Sequence, residues 1–117
     1  MIKVYGIKNC DTMKKAFTWL DKNKIAYTFH DYKKSQIDAT TIQLWLKSLS
    51  LDVLINSKGI TFKKLTDEEK AATKNTKGAI ALMMEKTSMI KRPLVEMTDG
   101  EYLLGFEEAA WEKAFKK

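Results

Sequence analysis

The stretch "IKVYGIKNCDTMKKAFTWLDKNKIAYTFHDY", residues 2–32, changes its hydrophobic period twice, and those changes decide the fold. "IKVY" (2–5) is a short β-prone run, ended by Gly6. From Asp11 onward, Met13, Ala16, Phe17 and Leu20 fall at i, i+3, i+4 and i+7, one apolar stripe on a helix of about three turns. Asp11 and Thr12 belong to the first turn, where a carboxylate meets the positive end of the helix dipole, and "DKNK" (21–24) ends the helix. "AYTFHDY" (26–32) alternates and is rich in aromatics, which predicts a second strand. Because a helix fills the connection, the two strands are expected to run parallel in a β-α-β unit.

The pattern continues downstream. "SQID" (35–38) opens a second helix, with Ile42, Leu46 and Leu49 facing inward and Trp45 beside them. "LDVLINSKGITFKKL" (51–65) reads as irregular, with a turn at 57–59. "TDEE" (66–69) matches a capping box, Thr66 with Glu69, and announces a third helix. "AIALMMEKTSMI" (79–90) is a fourth, too apolar to be fully exposed. After Pro93, "LVEM" (94–97) and "EYLLG" (101–105) flank "TDG" (98–100) and predict a hairpin. "FEEAAWEKAF" (106–115) closes the chain as a helix, with Phe106, Ala110, Trp111 and Ala114 available for one face. Setting the middle helices aside leaves β-α-β and β-β-α. That is the order of a thioredoxin-like α/β domain, with a helical insertion at about residues 50–90. The 117 residues carry no repeat and no linker and read as one domain, 1–117.

Composition narrows the function classes. With 44% hydrophobic and 31% charged residues the chain can form a core. No apolar run approaches the roughly 20 residues of a spanning helix, so no membrane association is expected. "MIKVYGIKN" is too polar for a secretory leader, and a lone cysteine forms no internal disulfide; both point to the cytoplasm. The net charge of +6 comes from twenty lysines and a single arginine, Arg92, dispersed among acidic residues. Arginine is the usual reader of base edges, whereas scattered lysines make a solvated surface, so nucleic-acid binding is not the expected role.

Cys10, the only cysteine, sits between the first strand and the first helix, off the apolar stripe. A thiol at a helix start faces unsatisfied N–H groups and the positive dipole end, which favour the thiolate. Lys8, Lys14 and Lys15 add positive charge, and the Thr12 hydroxyl is placed to donate to the sulfur. Gly6 is free in its backbone angles, so the loop 6–9 can turn N–H groups toward an anion. A buried, inert cysteine is the competing reading. A C-x-x-C couple is excluded by Met13, and a cysteine-phosphatase loop by Ala16 at the arginine position. One cysteine and one histidine supply no metal site. His30 lies in the alternating second strand and is read as a packing residue rather than the base of a Cys-His hydrolase.

"YGIKNCDTMKKAFTWL" (5–20), "YTFHDYKK" (27–34), "INSKGITFKKL" (55–65), "MIKRPLVE" (89–96) and "LLGFEEAAW" (103–111) together resemble the arsenate reductase-related (ArsC/Spx) family, most closely its YffB-like branch. The resemblance runs in order along nearly the whole chain and implies the same thioredoxin-like fold. It implies Cys10 as nucleophile, Arg92 as oxyanion ligand and Pro93 as a cis-proline, with backbone beside the sulfur. Of the three arginines of true arsenate reductases, the middle one stands here as Lys58, and "LLGFEE" has no basic residue. A lysine does not reproduce bidentate oxyanion binding, which argues against efficient arsenate reduction. The expectation is a thiol reductase with no bound cofactor, acting on a small anionic or thiol substrate. Asn9, Thr12, Lys58, Arg92 and Pro93 would form its anion site, with glutathione as co-substrate and glutaredoxin as partner. The alternative is an Spx-like regulator that binds RNA polymerase without turnover.

Overall fold

The β-prone run and the helical stripe become β1 (Ile2–Gly6) and α1 (Asp11–Lys22), followed by β2 (Tyr27–Asp31). The computed structural model describes residues 1–116. β1 and β2 pair in parallel, Ile2 opposite Tyr27 through Gly6 opposite Asp31. The chain then forms α2 (Tyr32–Ser35), α3 (Ala39–Trp45), α4 (Leu51–Leu54), α5 (Ile60–Lys63), α6 (Asp67–Ala72), α7 (Thr76–Glu85) and a 3-10 turn (Thr87–Met89). It returns as β3 (Leu94–Glu96), β4 (Tyr102–Leu104) and α8 (Glu108–Phe115). β3 is antiparallel to both β1 and β4, and the sheet order is β2-β1-β3-β4. A parallel β-α-β joined to an antiparallel β-β-α is the thioredoxin-like arrangement.

The chain divides into two compact units, Met1–Asp31 with the segment from Arg92 onward, and Tyr32–Lys91. In the first, α1 buries Met13, Ala16, Trp19 and Leu20 in one cluster with Ile2, Val4, Val95 and Trp111. Trp111 meets Trp19 edge-on at 5.6 Å and Phe106 at 4.9 Å between ring centroids, a favoured aromatic geometry. α1 ends in a Schellman pattern: the Lys24 N–H bonds the Asp21 carbonyl and the Ile25 N–H the Leu20 carbonyl. Lys24 takes the left-handed conformation this needs, φ 55°. That turn delivers the chain to β2 beside β1.

In the second unit α3 packs on α7. An isolated bridge joins Ile55 to Ile90, flanked by bonds from Asn56 N–H to the Met89 carbonyl and from Lys91 N–H to the Leu54 carbonyl, both 2.8 Å. The capping box is formed: Thr66 Oγ1 accepts from the Glu69 N–H at 3.1 Å, and the Glu69 carboxylate accepts from the Thr66 N–H at 2.9 Å.

Several local expectations are corrected. Strand β2 stops at Asp31, and buried Tyr32 starts α2. The second predicted helix begins later, at Ala39, because Asp38 accepts the Thr41 N–H at 2.8 Å and caps it. Leu46 and Leu49 are only half-buried there, while Ile42 and Trp45 are fully enclosed. The stretch 51–65 holds two single-turn helices, α4 and α5, too short to show a helical period. The predicted helix 79–90 ends at Glu85, where Lys86 leaves helical angles (φ −121°, ψ 72°) and a 3-10 turn follows. In α8, Ala110 is exposed, and Phe115 packs beside Trp111 instead.

Gly78, in the first turn of α7, lies against α6. A Cβ there would meet the backbone carbonyl of Ala72. Alanine ordinarily gains roughly 0.5–1 kcal/mol over glycine inside a helix. Here the neighbour is backbone, so an overpacking cost of about 1–3 kcal/mol should prevail. Gly78→Ala is expected to lower the denaturant midpoint without changing the m-value.

Candidate active site

Cys10 is the N-cap of α1, extended at φ −143° and ψ 131°, and its carbonyl accepts the Lys14 N–H at 2.9 Å. The half-buried sulfur packs at the margin of the first unit's core. β1 carries the chain to this point, and the loop 7–10 joins it to α1. Because β3 runs antiparallel beside β1, with Leu94 opposite Tyr5, the residues just before β3 return to the end of β1 where Cys10 sits. Those residues are Arg92 and Pro93, joined by a cis peptide bond. The Pro93 carbonyl accepts the Gly105 N–H at 2.9 Å, and the Gly105 carbonyl accepts Trp111 Nε1–H at 3.0 Å. Two hydrogen bonds therefore tie this segment to β4 and α8.

The electrostatics at the sulfur are a contest. Burial pushes the Cys10 thiol up, but the Met13 N–H, a hydrogen bond from the Arg92 side chain, the Thr12 N–H and the charge of Arg92 outweigh it. The net result is a pKa below the ordinary thiol value. The Cys10 side chain forms no cap hydrogen bond of ordinary geometry to the first turn. Ionisation supplies the acceptor that an N-cap position favours, because negative charge strengthens each of these interactions. The site thus favours the thiolate over the thiol, with the Arg92 guanidinium against it.

The sequence candidates are distributed as follows. Cys10, Thr12 and Arg92 converge on one sulfur, with Pro93 buried next to Arg92 along the chain. Asn9 is exposed in the loop before Cys10. Lys58 is exposed in the turn between α4 and α5, in the second unit. Thr12 acts through its backbone amide rather than the hydroxyl. The charge acting on the sulfur is that of Arg92, while Lys8, Lys14 and Lys15 are all exposed. The residue that sequence reasoning missed is Met13, read only as core. Its N–H is the foremost group favouring the thiolate. The signal was available, since a residue three past an N-cap presents its amide to the cap side chain. The His30 ring lies beside that of Tyr5 across the β1–β2 pair, tilted by 42° with centroids 5.1 Å apart.

Among the described residues no three His, Cys, Asp or Glu side chains group as a metal site, and no helix is long and apolar enough to cross a membrane.

The ArsC family model matches residues 5–114, which takes in both units and all of the site. The chain belongs to the ArsC family. An uncharacterised protein of Haemophilus influenzae (strain Rd) is 37% identical over 115 residues, spanning 98% of this chain and 99% of that protein. The solved structure of a YffB protein superposes with a TM-score of 0.89 at 44% identity, covering 97% of this chain and 98% of that one. An arsenate reductase (ArsC) related protein from Brucella melitensis is 45% identical with a TM-score of 0.76, covering 99% and 95%. An arsenate reductase from Vibrio cholerae, 17% identical with a TM-score of 0.68, shares the fold. This ArsC-family chain is therefore arsenate-reductase-related in fold along nearly all of its length.

Arg92→Ala should raise the Cys10 pKa toward that of a free thiol, about 8.5, read from the pH dependence of alkylation. The folded pKa is depressed, so the stabilisation it brings is complete above the unfolded value and is lost as pH falls through the folded one. Cys10→Ser should flatten that slope in pH-dependent unfolding.

Proposed function

We propose that the protein is a monothiol reductase that draws its reducing equivalents from glutathione. The observation that carries the reading is the hydrogen bond from Arg92 to the Cys10 side chain, at a half-buried thiol whose pKa is lowered. Structural cysteines are usually enclosed and inert; this one is accessible and faces an oriented cation. In the first step the Cys10 thiolate attacks one sulfur of a disulfide substrate. A new S–S bond forms to Cys10, the substrate S–S bond breaks, and the other sulfur leaves as a thiolate. Glutathione thiolate then attacks the mixed disulfide, which restores the Cys10 thiolate and carries the oxidised sulfur away; glutaredoxin completes the exchange.

Residue roles follow from position. Arg92 neutralises the charge on the attacking or leaving sulfur and orients the anionic part of the substrate. The Thr12 and Met13 amides hold the Cys10 thiolate before attack and as leaving group afterwards. Asn9, exposed beside Cys10, contacts the incoming group. Pro93 presents backbone to the substrate. Because glutathione carries net negative charge, a site built on one guanidinium suits it, and the protein would work in a reducing compartment, the cytoplasm. With one arginine where true arsenate reductases use three, arsenate itself is a poor candidate substrate.

The test is direct. Incubated with glutathione disulfide, the protein should acquire one glutathione, located on Cys10 by peptide mass spectrometry, and Cys10→Ser should acquire none. Added glutathione and glutaredoxin should remove it, and Arg92→Ala should slow its formation about threefold for each unit the pKa rises, the loss of thiolate being partly offset by a more nucleophilic sulfur. Absence of any adduct at a demonstrably ionised Cys10 would sink the reductase. The non-enzymatic alternative would then stand, an interaction module, tested by retention of RNA polymerase.

A further inference from the structure

A backbone N–H can be aimed only by placing the turn that carries it. The Met13 amide is part of the first turn of α1, and the Met13 side chain is wholly buried, clustered with Ile2, Val4 and Val95 of the sheet. Its Sδ and Cε lie over Gly6, the last residue of β1. A Cβ built on Gly6 would stand 2.5 Å from both atoms and 3.6 Å from Met13 Cγ. Gly6 is not among the glycines with positive φ, which are Gly100 and Gly105. What glycine supplies at position 6 is room for the Met13 thioether, not backbone freedom, which corrects the sequence reading of this residue.

We infer that the Gly6–Met13 contact is a positioning device for Cys10, seating the thioether on the bare end of β1 and so fixing the first turn of α1 where its N–H groups meet the sulfur. Met13 is thus a positioning residue that acts through its own amide. The inference rests on Cys10 being the reactive thiol and deepens it, by naming what holds the thiolate's donors in place. The elements around the sulfur contribute the other charges: Arg92 directly, with Lys8 and Asp11 exposed next to it along the chain.

The experiment is a double-variant cycle on the full chain: wild type, Gly6→Ala, Met13→Ala and both together. It reads the Cys10 pKa from the pH dependence of alkylation, with circular dichroism and thermal melting alongside. Gly6→Ala displaces the thioether tip and should raise the pKa, seen as a shift of the alkylation pH profile to higher pH and a severalfold drop in rate at low pH. Met13→Ala should also raise it. In the Met13→Ala background the added Gly6→Ala should do nothing further, because no Sδ or Cε remains to be displaced. If Gly6→Ala does not fold, the comparison of wild type with Met13→Val, which keeps Cγ and loses the tip, takes its place.

A purely structural contact would lower the melting temperature and leave the pKa unmoved, which overturns the inference. So would additive pKa effects in the double variant, or a folded Gly6→Ala whose thioether has swung aside with the pKa unchanged. No substrate enters the measurement. A protein that shows the coupling yet forms no glutathione adduct would therefore refute the reductase and leave the positioning device intact.

Discussion

Strand β1 is paired on both edges, in parallel with β2 and antiparallel with β3, and the rest of the first unit depends on that double pairing. The parallel partner forces a crossover helix, which puts the start of α1 at the end of β1 and leaves Cys10 at its mouth. The antiparallel partner brings back the other end of the chain, so that Arg92 enters the same place from a distant part of the sequence. Neither pairing alone would give the site. A helix start without Arg92 offers only partial charges, and an arginine without the amides offers one donor group to a sulfur that burial disfavours as an anion.

The same core stabilises the fold and holds the chemistry. Val4 and Val95 face each other across β1 and β3 and join the cluster that buries Met13. Trp111 closes that cluster and donates through its indole to Gly105, whose own amide holds Pro93. Packing in that cluster therefore reaches the segment that positions the guanidinium, through hydrogen bonds of ordinary length.

The parts of this that were legible in the sequence are those with a period or a fixed spacing. The α1 stripe, the alternation of 26–32, the hairpin around "TDG" and the Thr66–Glu69 box each rest on several residues agreeing. The one-turn helices α4 and α5 have no second turn to establish a period, and the onset of α3 is set by a single carboxylate, Asp38. At the site, Cys10 was visible from its place between strand and helix, and Arg92 from being the sole arginine before the sole proline. What side chains alone do not announce is backbone chemistry. Thr12 and Met13 act by their amides, and Gly6 matters for the atom it lacks, so residue type gave the wrong reason for Thr12 and Gly6 and no reason for Met13.

Cys10 being the chain's one sulfhydryl carries a final consequence. A protein with two neighbouring thiols can store an oxidising event internally and keep its composition, less two hydrogens. This chain cannot. Any disulfide it forms joins it to another molecule, so for this chain disulfide formation is also an act of association. Its redox state is written as a change of mass and as the identity of whatever it has captured, and a snapshot of its conjugates would be a record of the sulfur compounds it had met.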